Sequence, residues 1–304
     1  MRKTFVKELI KLAEYNNRLL LVVGDVGYSL VEEFQHNFPN QFINAGIAEQ
    51  NMTGVSAGLA SEGFNVFLYS IANFSTFRCA EQIRNDVAYH NLAVTIVSVG
   101  GGLCYGNAGY SHHLVQDYAL IRVFPNMTIL SPGDCNEVSE CLNYIKRNRG
   151  PYYLRLSHRN DFIQNSKCSA LEPGKWVGYR RNYGNTKAIV TTGSALPIVL
   201  DIMKNRNSND YDIYSCPIWS LKAKELQQAQ LEKYDKIITV EEHFYEGGFG
   251  SWMLESSSQC NFIHNDPVIK TAAYDSSVYN QTGSYEELLE KSGLVKKLLQ
   301  ILDD

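Results

Sequence analysis

Three short segments carry the residue types that chemistry needs. The first is GIAEQNMTGVSAGLASEG, residues 46–63, where Glu49 stands among small residues at an expected strand-to-helix junction. A carboxyl group placed there can lie close to a ligand in a dry site. The plainer reading is a first-turn acid favoured by the helix dipole. The second is NFSTFRCAEQIRN, residues 73–85, in which Phe74 and Phe77 could offer a flat apolar wall or simply pack in a core. The third is GGGLCYGNAGYSHH, residues 100–113, a loop of five glycines that ends in His112 and His113. A histidine on such a loop can give or take a proton near neutral pH, and an ordinary surface histidine is the alternative. Adjacent histidines seldom point the same way and no acidic third ligand stands nearby, so no metal site is expected. The glycines also suggest a phosphate cradle, but the G-x-x-x-x-G-K-[ST] pattern is absent.

The elements that must position these residues can be read from apolar patterning. Phe5, Leu9 and Leu12, with Val6, Ile10 and Ala13 beside them, give an opening helix. Leu19–Val23 is a continuous apolar run, the mark of a strand covered on both faces, and it ends in Gly24-Asp25. Residues 42–46 feed a helix over 48–61, rich in small residues that allow close packing. Strands follow at 66–69 and 92–99, with a helix through Cys79, Ile83 and Val87 between them. Strands at 127–130 and 152–156 flank a helix over 136–146. A polar stretch over 161–186 breaks the pattern. Beyond it come strands at 188–192, 211–215 and 236–240, with helices from Ser194 and over 223–231. Alternating strands and helices predict an α/β protein of two doubly wound domains with mostly parallel sheets: residues 1–165, a linker over 166–186, and residues 187–304. Ligands bind beyond the carboxyl ends of strands in such sheets, where Asp25, Glu49 and the 100–113 loop should lie.

Composition limits the function classes. The chain has 304 residues, 44% of them hydrophobic and 20% charged, an ordinary globular balance. A net charge of −4 gives no electrostatic footprint for nucleic acid. No apolar run is long enough to span a bilayer, and the charged N-terminus lacks a signal-peptide core, so a cytoplasmic protein is expected. The seven cysteines, at 79, 104, 135, 141, 168, 216 and 260, are widely spaced and read as free thiols.

In this order and at these spacings, the three segments resemble the pyrimidine-binding half of transketolase, and are similar to the corresponding part of 1-deoxy-xylulose-5-phosphate synthase. The resemblance covers nearly the whole chain. GIAEQ resembles the segment bearing the family's catalytic glutamate, which implies that role for Glu49. Phe74 and Phe77 resemble the F-x-x-[FY] aromatics that pack on the aminopyrimidine of thiamine diphosphate. GYSH, residues 109–112, resembles G-P-T-H and implies that His112 is the active-site histidine. Asp25 matches the acid after the first strand that approaches the cofactor. Arg2 and Ser29 fall where the family holds the substrate phosphate. VEEHFYEGGFGS, residues 240–251, resembles the V-E-E-H-x-x-x-G-G-x-G of the C-terminal domain, and the tail over 279–294 fits too.

The resemblance implies a mechanism. Glu49, protonated or sharing a proton with the pyrimidine ring, would favour the cofactor tautomer that activates the thiazolium. That role calls for an apolar setting, and Ala45, Ile47, Ala48 and Met52 are near in sequence. His112 would bond the substrate carbonyl or hydroxyls. The G-D-G…N motif for the diphosphate and its Mg2+ is missing. This implies a split enzyme whose partner subunit supplies that half, in an α2β2 assembly. The sugar side departs from the pattern: Ala108 replaces an acid, Gly100 a histidine, and His158 a phosphate-binding arginine, with Arg159 adjacent. Transfer of a two-carbon ketol unit between sugar phosphates is the expected activity. Decarboxylation of a 2-oxo acid, as in the synthase or a 2-oxoacid dehydrogenase β-subunit, and a non-catalytic paralogue are the alternatives. Gln50 after Glu49 leans toward the synthase.

Overall fold

The computed structural model describes residues 1–157, 170–206, 208–263 and 265–304. His158 and Arg159, expected to meet the substrate, lie outside the described residues.

Two sheets order the chain. The first has seven strands: β1 (Leu19–Val23), β2 (Phe42–Asn44), β3 (Asn65–Ile71), β4 (Val94–Val99), β5 (Thr128–Leu130), β6 (Tyr152–Leu156) and β10 (Ile218–Ser220). Their spatial order is β10-β5-β6-β4-β3-β1-β2, with only the β10–β5 pair antiparallel. The second has β7 (Val177–Arg180), β8 (Lys187–Thr191), β9 (Asp212–Ser215), β11 (Lys236–Phe244) and β12 (Val268–Tyr274), ordered β12-β11-β8-β9-β7. Every residue of β1, β4 and β6 is buried, as strands covered by helices on both faces require. The opening helix Arg2–Tyr15 sinks Phe5, Val6, Leu9 and Ala13 against the first sheet.

Three expectations change. The second sheet starts at Val177, inside the expected linker, because β7 pairs antiparallel with β9. Its residues are only half-buried, as befits an edge, so the strand hides in a polar stretch. Residues 218–220, expected in the second domain, cover the β5 edge of the first sheet. Trp219 anchors them there, wholly buried between Tyr118, Phe249 and Trp252 at ring distances of 5.1, 5.5 and 5.6 Å. The two domains are therefore interlocked. Last, Cys79, Ile83 and Val87 are all buried, but on a 3-10 turn, a short α-turn and a π-turn over Ile83–Ala88. A spacing of four exceeds the α-period of 3.6, and the wider turn keeps all three inward.

Candidate active site

The strands β4, β3, β1 and β2 are neighbours and parallel, so their carboxyl ends share one edge. Asp25, Glu49, Phe74 and the 100–113 loop all emerge there. Asn44, at the end of β2, ties two of these turns together. Its Oδ1 accepts the backbone N–H of Asp25 at 3.1 Å and of Gly46 at 3.0 Å, and its Nδ2 donates to Asp25 Oδ1 at 3.1 Å. Asp25 is held at a φ of 55°, a left-handed conformation that aspartate tolerates when its side chain bonds locally.

Glu49 opens the helix Glu49–Ser61 and its side chain is only 7% exposed. The helix buries Met52, Thr53, Ser56, Ala57 and Ala60 against the sheet. A Cβ at Gly54 or Gly58 would meet nothing within 4 Å, so these glycines face open space rather than a close neighbour. Glu49 does not sit in the purely apolar setting that Ala45, Ile47, Ala48 and Met52 suggest. Arg78 Nη1 donates to both its oxygens at 3.2 and 3.3 Å. The same guanidinium lies 4.1 Å from the centre of the Phe74 ring. Arg78 is itself 52% exposed, so it covers the carboxylate from the solvent side.

His112 joins this group through Phe74, its ring edge-on at 5.1 Å. Its Nδ1 shares a hydrogen bond with Ser111 Oγ at 2.9 Å, and Asn73 Nδ2 donates to the Ser111 carbonyl at 2.6 Å. His113 is buried, which pulls its imidazole below the usual range. Phe77 stands 40% exposed beside this edge.

Arg2 and Ser29 are not brought together by any hydrogen bond between them. Arg2 bonds the Tyr69 side chain, and its charge acts on both Tyr69 and Tyr105. Burial pushes the Tyr69 hydroxyl up to about 12 despite that cation. Ser29 is exposed at a φ of 61° and donates its backbone N–H to Glu32 at 2.7 Å. Those amide bonds hold the Glu32 carboxyl below its ordinary range. A carboxylate at that spot repels an anionic ligand.

Sequence reasoning missed Asn44 and Arg78. Both act across 19 and 29 positions of sequence, and no local pattern announces such partners. It also gave VEEHFYEGGFGS no structural task. Glu241 caps the helix Phe249–Ser258, accepting from Phe249 N at 2.6 Å and Gly250 N at 2.8 Å. Glu242 accepts from Tyr274 at 2.8 Å, Tyr285 at 2.6 Å and Ser194. His243 stacks on Tyr118, and burial lowers its imidazole to about 4. Among the described residues, no group of three or more histidine, cysteine, aspartate or glutamate side chains could hold a metal ion, and no helix is long and apolar enough to cross a membrane.

The chain is a two-domain α/β protein that brings a carboxylate, two phenylalanines and a histidine to one sheet edge. Residues 1–161 match the transketolase pyrimidine-binding domain, and residues 177–297 the transketolase C-terminal domain. The chain belongs to the transketolase family, whose cofactor is thiamine diphosphate. A protein of Methanocaldococcus jannaschii named as a transketolase C-terminal section is 32% identical, over 97% of this chain and 92% of its own length. One of the subunits of the apulose-4-phosphate transketolase of Phocaeicola vulgatus is 28% identical, over 99% and 97%. A 1-deoxy-D-xylulose-5-phosphate synthase of Clostridium perfringens is 30% identical over 98% of this chain, which spans 49% of that enzyme. Among solved structures, a split gene transketolase described as an inactive β4 tetramer superposes with a TM-score of 0.83 at 29% identity, covering 96% of this chain and 93% of that one.

The residues at the edge fit the family's cofactor. Glu49 is buried on the protein side, and its hydrogen-bond partner is an exposed arginine that a ligand can displace. Phe77 is 40% exposed, and the face of the half-buried Phe74 is covered by the same Arg78 guanidinium, so displacing that one side chain uncovers both the carboxylate and an aromatic surface for a planar ring.

Proposed function

We propose that this chain is the second subunit of a split thiamine diphosphate-dependent enzyme that transfers a two-carbon ketol unit between sugar phosphates. The observation that carries the reading is the convergence of Glu49, Phe74 and His112 on one sheet edge. Glu49 and Asp25 would face the pyrimidine end of the cofactor, and Phe74 and Phe77 would hold its plane. Glu49 would hold or pass a proton at a ring nitrogen once Arg78 swings aside. When bound, the cofactor supplies the electron sink for carbon–carbon cleavage, while the protein positions it. His112, backed by Ser111, would bond the carbonyl or hydroxyls of the donor. Arg2 would attract its phosphate. The Glu32 carboxylate beside Ser29 argues against a share for Ser29, and His158 and Arg159 remain candidates from sequence.

The diphosphate and Mg2+ would be held by a partner subunit resembling the N-terminal half of transketolase, in an α2β2 assembly. Support comes from the split relatives, which this chain matches over nearly their full length, whereas it spans half of the synthase. The similarity to that synthase over 98% of the chain keeps decarboxylation of a 2-oxo acid as a second reading. The test is the complex with its partner, assayed with ketose phosphates and with pyruvate. Turnover of a ketose donor to an aldose acceptor is expected. Release of carbon dioxide from pyruvate with no ketol transfer would replace the first reading by the second.

A further inference from the structure

The glycine loop carries a half-buried tyrosine that no role above uses, Tyr105. Its ring occupies the space where residue 100 would carry a side chain: a Cβ added at Gly100 would overlap it, and Gly100 adopts a φ of 97°. Gly100 and Tyr105 are thus a matched pair, and the histidine that the resemblance expects at 100 has no room. The ring lies 6.3 Å from His112, close to perpendicular. The charge of Arg2 acts on the phenol, and Arg2 also bonds Tyr69. Burial pushes the Tyr105 hydroxyl upward against that charge, so it stays an O–H group at neutral pH. A phenol can both donate and accept a hydrogen bond. Ala108, the other altered position, is exposed and carries only a methyl group.

We propose that Tyr105 is the substrate-recognition residue of this site. Its hydroxyl reads the hydroxyl-bearing middle of a sugar phosphate whose carbonyl end faces His112 and whose anionic end faces Arg2. The inference rests on the proposed ketol-transfer reading and names the group that would select its substrate. The polar recognition that Gly100 and Ala108 cannot provide is thereby moved to a different residue on the same loop. A site that bonds a hydroxyl discriminates against the analogue that lacks it.

The experiment uses the complex with the partner subunit and unreactive five-carbon polyol phosphates, one complete and a set each lacking one internal hydroxyl. Calorimetry gives dissociation constants for the native protein and for Tyr105→Phe, which keeps the ring and removes the hydroxyl. Gly100→Ala, which pushes the ring aside, is the second variant, and thiamine diphosphate affinity reports that each variant is assembled. The native complex should prefer the complete polyol by about tenfold over one member of the set, the size of a single hydrogen bond. Tyr105→Phe should bring that ratio close to one, and Gly100→Ala should move it the same way. Equal ratios in native and Tyr105→Phe complexes would overturn the proposal, as would failure of the native complex to bind the complete polyol. Ketol transfer is measured separately. Discrimination that depends on Tyr105 without any ketol transfer sinks the reaction and leaves the recognition standing, and the reverse pattern sinks Tyr105 alone.

Discussion

The candidate site and the seam between the domains are built from similar residues and behave differently. At the site, Glu49 meets Arg78, which is half-exposed and also leans on Phe74. At the seam, Asp117 meets Arg155, and both are almost fully buried. Arg155 Nε donates to Asp117 Oδ2 at 2.9 Å, and its Nη2 donates to the Leu114 carbonyl at 2.7 Å and the Glu242 carbonyl at 3.0 Å. Tyr153 donates to the same aspartate at 2.8 Å, and the guanidinium lies 4.5 Å over the Tyr118 ring. One ion pair is open on the side where a ligand would come; the other is closed on all sides and joins the first domain to the second. The seam also shapes the site. A Cβ at Gly101 would come within 2.8 Å of the Arg155 guanidinium, and one at Gly102 within 3.1 Å of the Tyr274 hydroxyl. Loop 100–113 can therefore follow its path only because glycines let it press on the seam. The difference teaches that a buried, fully bonded pair fixes architecture, while a carboxylate covered by one displaceable cation is the group free for chemistry.

The sharpest way to break this comparison is Glu49→Gln. The amide keeps the shape but cannot exchange the proton that activation needs. Turnover of the assembled enzyme should fall by about 10²–10⁴-fold. Thermal stability and assembly should be unchanged, since the exposed Arg78 partner contributes little. Near-normal turnover, or a large loss of stability with it, would move Glu49 into the architectural class.

Arg155→Met makes the opposite cut. It strands Asp117 inside the protein and takes one donor from each of the Leu114 and Glu242 carbonyls. Removing one partner of a buried pair costs about 3–5 kcal/mol, the loss that denaturant unfolding should read. Cofactor affinity per folded molecule should change far less. A loss of stability no greater than that of a surface substitution would show that water reaches the pair and that the seam is not closed.

How much of this was legible beforehand follows from the range of each interaction. The run LLLVV announces β1, because burial on both faces leaves a local apolar signature. The three site segments were legible as a resemblance, because each keeps its residues within one loop or helix start. Arg78 and Asn44 were not, because their partners lie on other elements. The strands β7 and β10 were missed for a different reason. The first is a half-buried edge in a polar stretch, and the second is three residues long, set by the burial of Trp219 rather than by any period. The motif VEEH was legible as a match, yet its work at a helix end and a domain seam appears only in three dimensions.

The seam also predicts a pH dependence of stability. Glu137, wholly buried, accepts from Gly133 N at 2.6 Å and from Ser215 Oγ at 3.0 Å, bridging the two domains. Burial raises its carboxyl to about 7, as it does for Glu241. In each case the folded state holds its proton more tightly than the unfolded chain. The resulting stability is present at pH below the unfolded value near 4.5 and is lost as pH rises through about 7. Each group accounts for up to roughly 3 kcal/mol of that decline. Glu137→Gln should flatten part of the slope between pH 4.5 and 7 in denaturant titrations, with Glu241→Gln removing a further part. A slope identical to that of the native protein would show that Glu137 is charged within the fold.

The smallest effect is expected on the open face of the site helix. Gly54 lies inside the helix Glu49–Ser61, and a Cβ there meets nothing within 4 Å. Alanine restricts the unfolded chain and favours the helix, so Gly54→Ala should stabilise the isolated chain by about 0.5–1 kcal/mol. Loss of stability instead would mean that the helix face is already packed in the isolated chain. The same substitution is informative in the complex. If the partner subunit approaches this face, the added methyl group weakens assembly while the isolated chain gains stability, a pairing of opposite signs that a purely structural glycine cannot produce. If assembly is unchanged, the partner approaches elsewhere along the edge, and Phe77 and Ile47, both exposed, become the next positions to probe by the same two measurements.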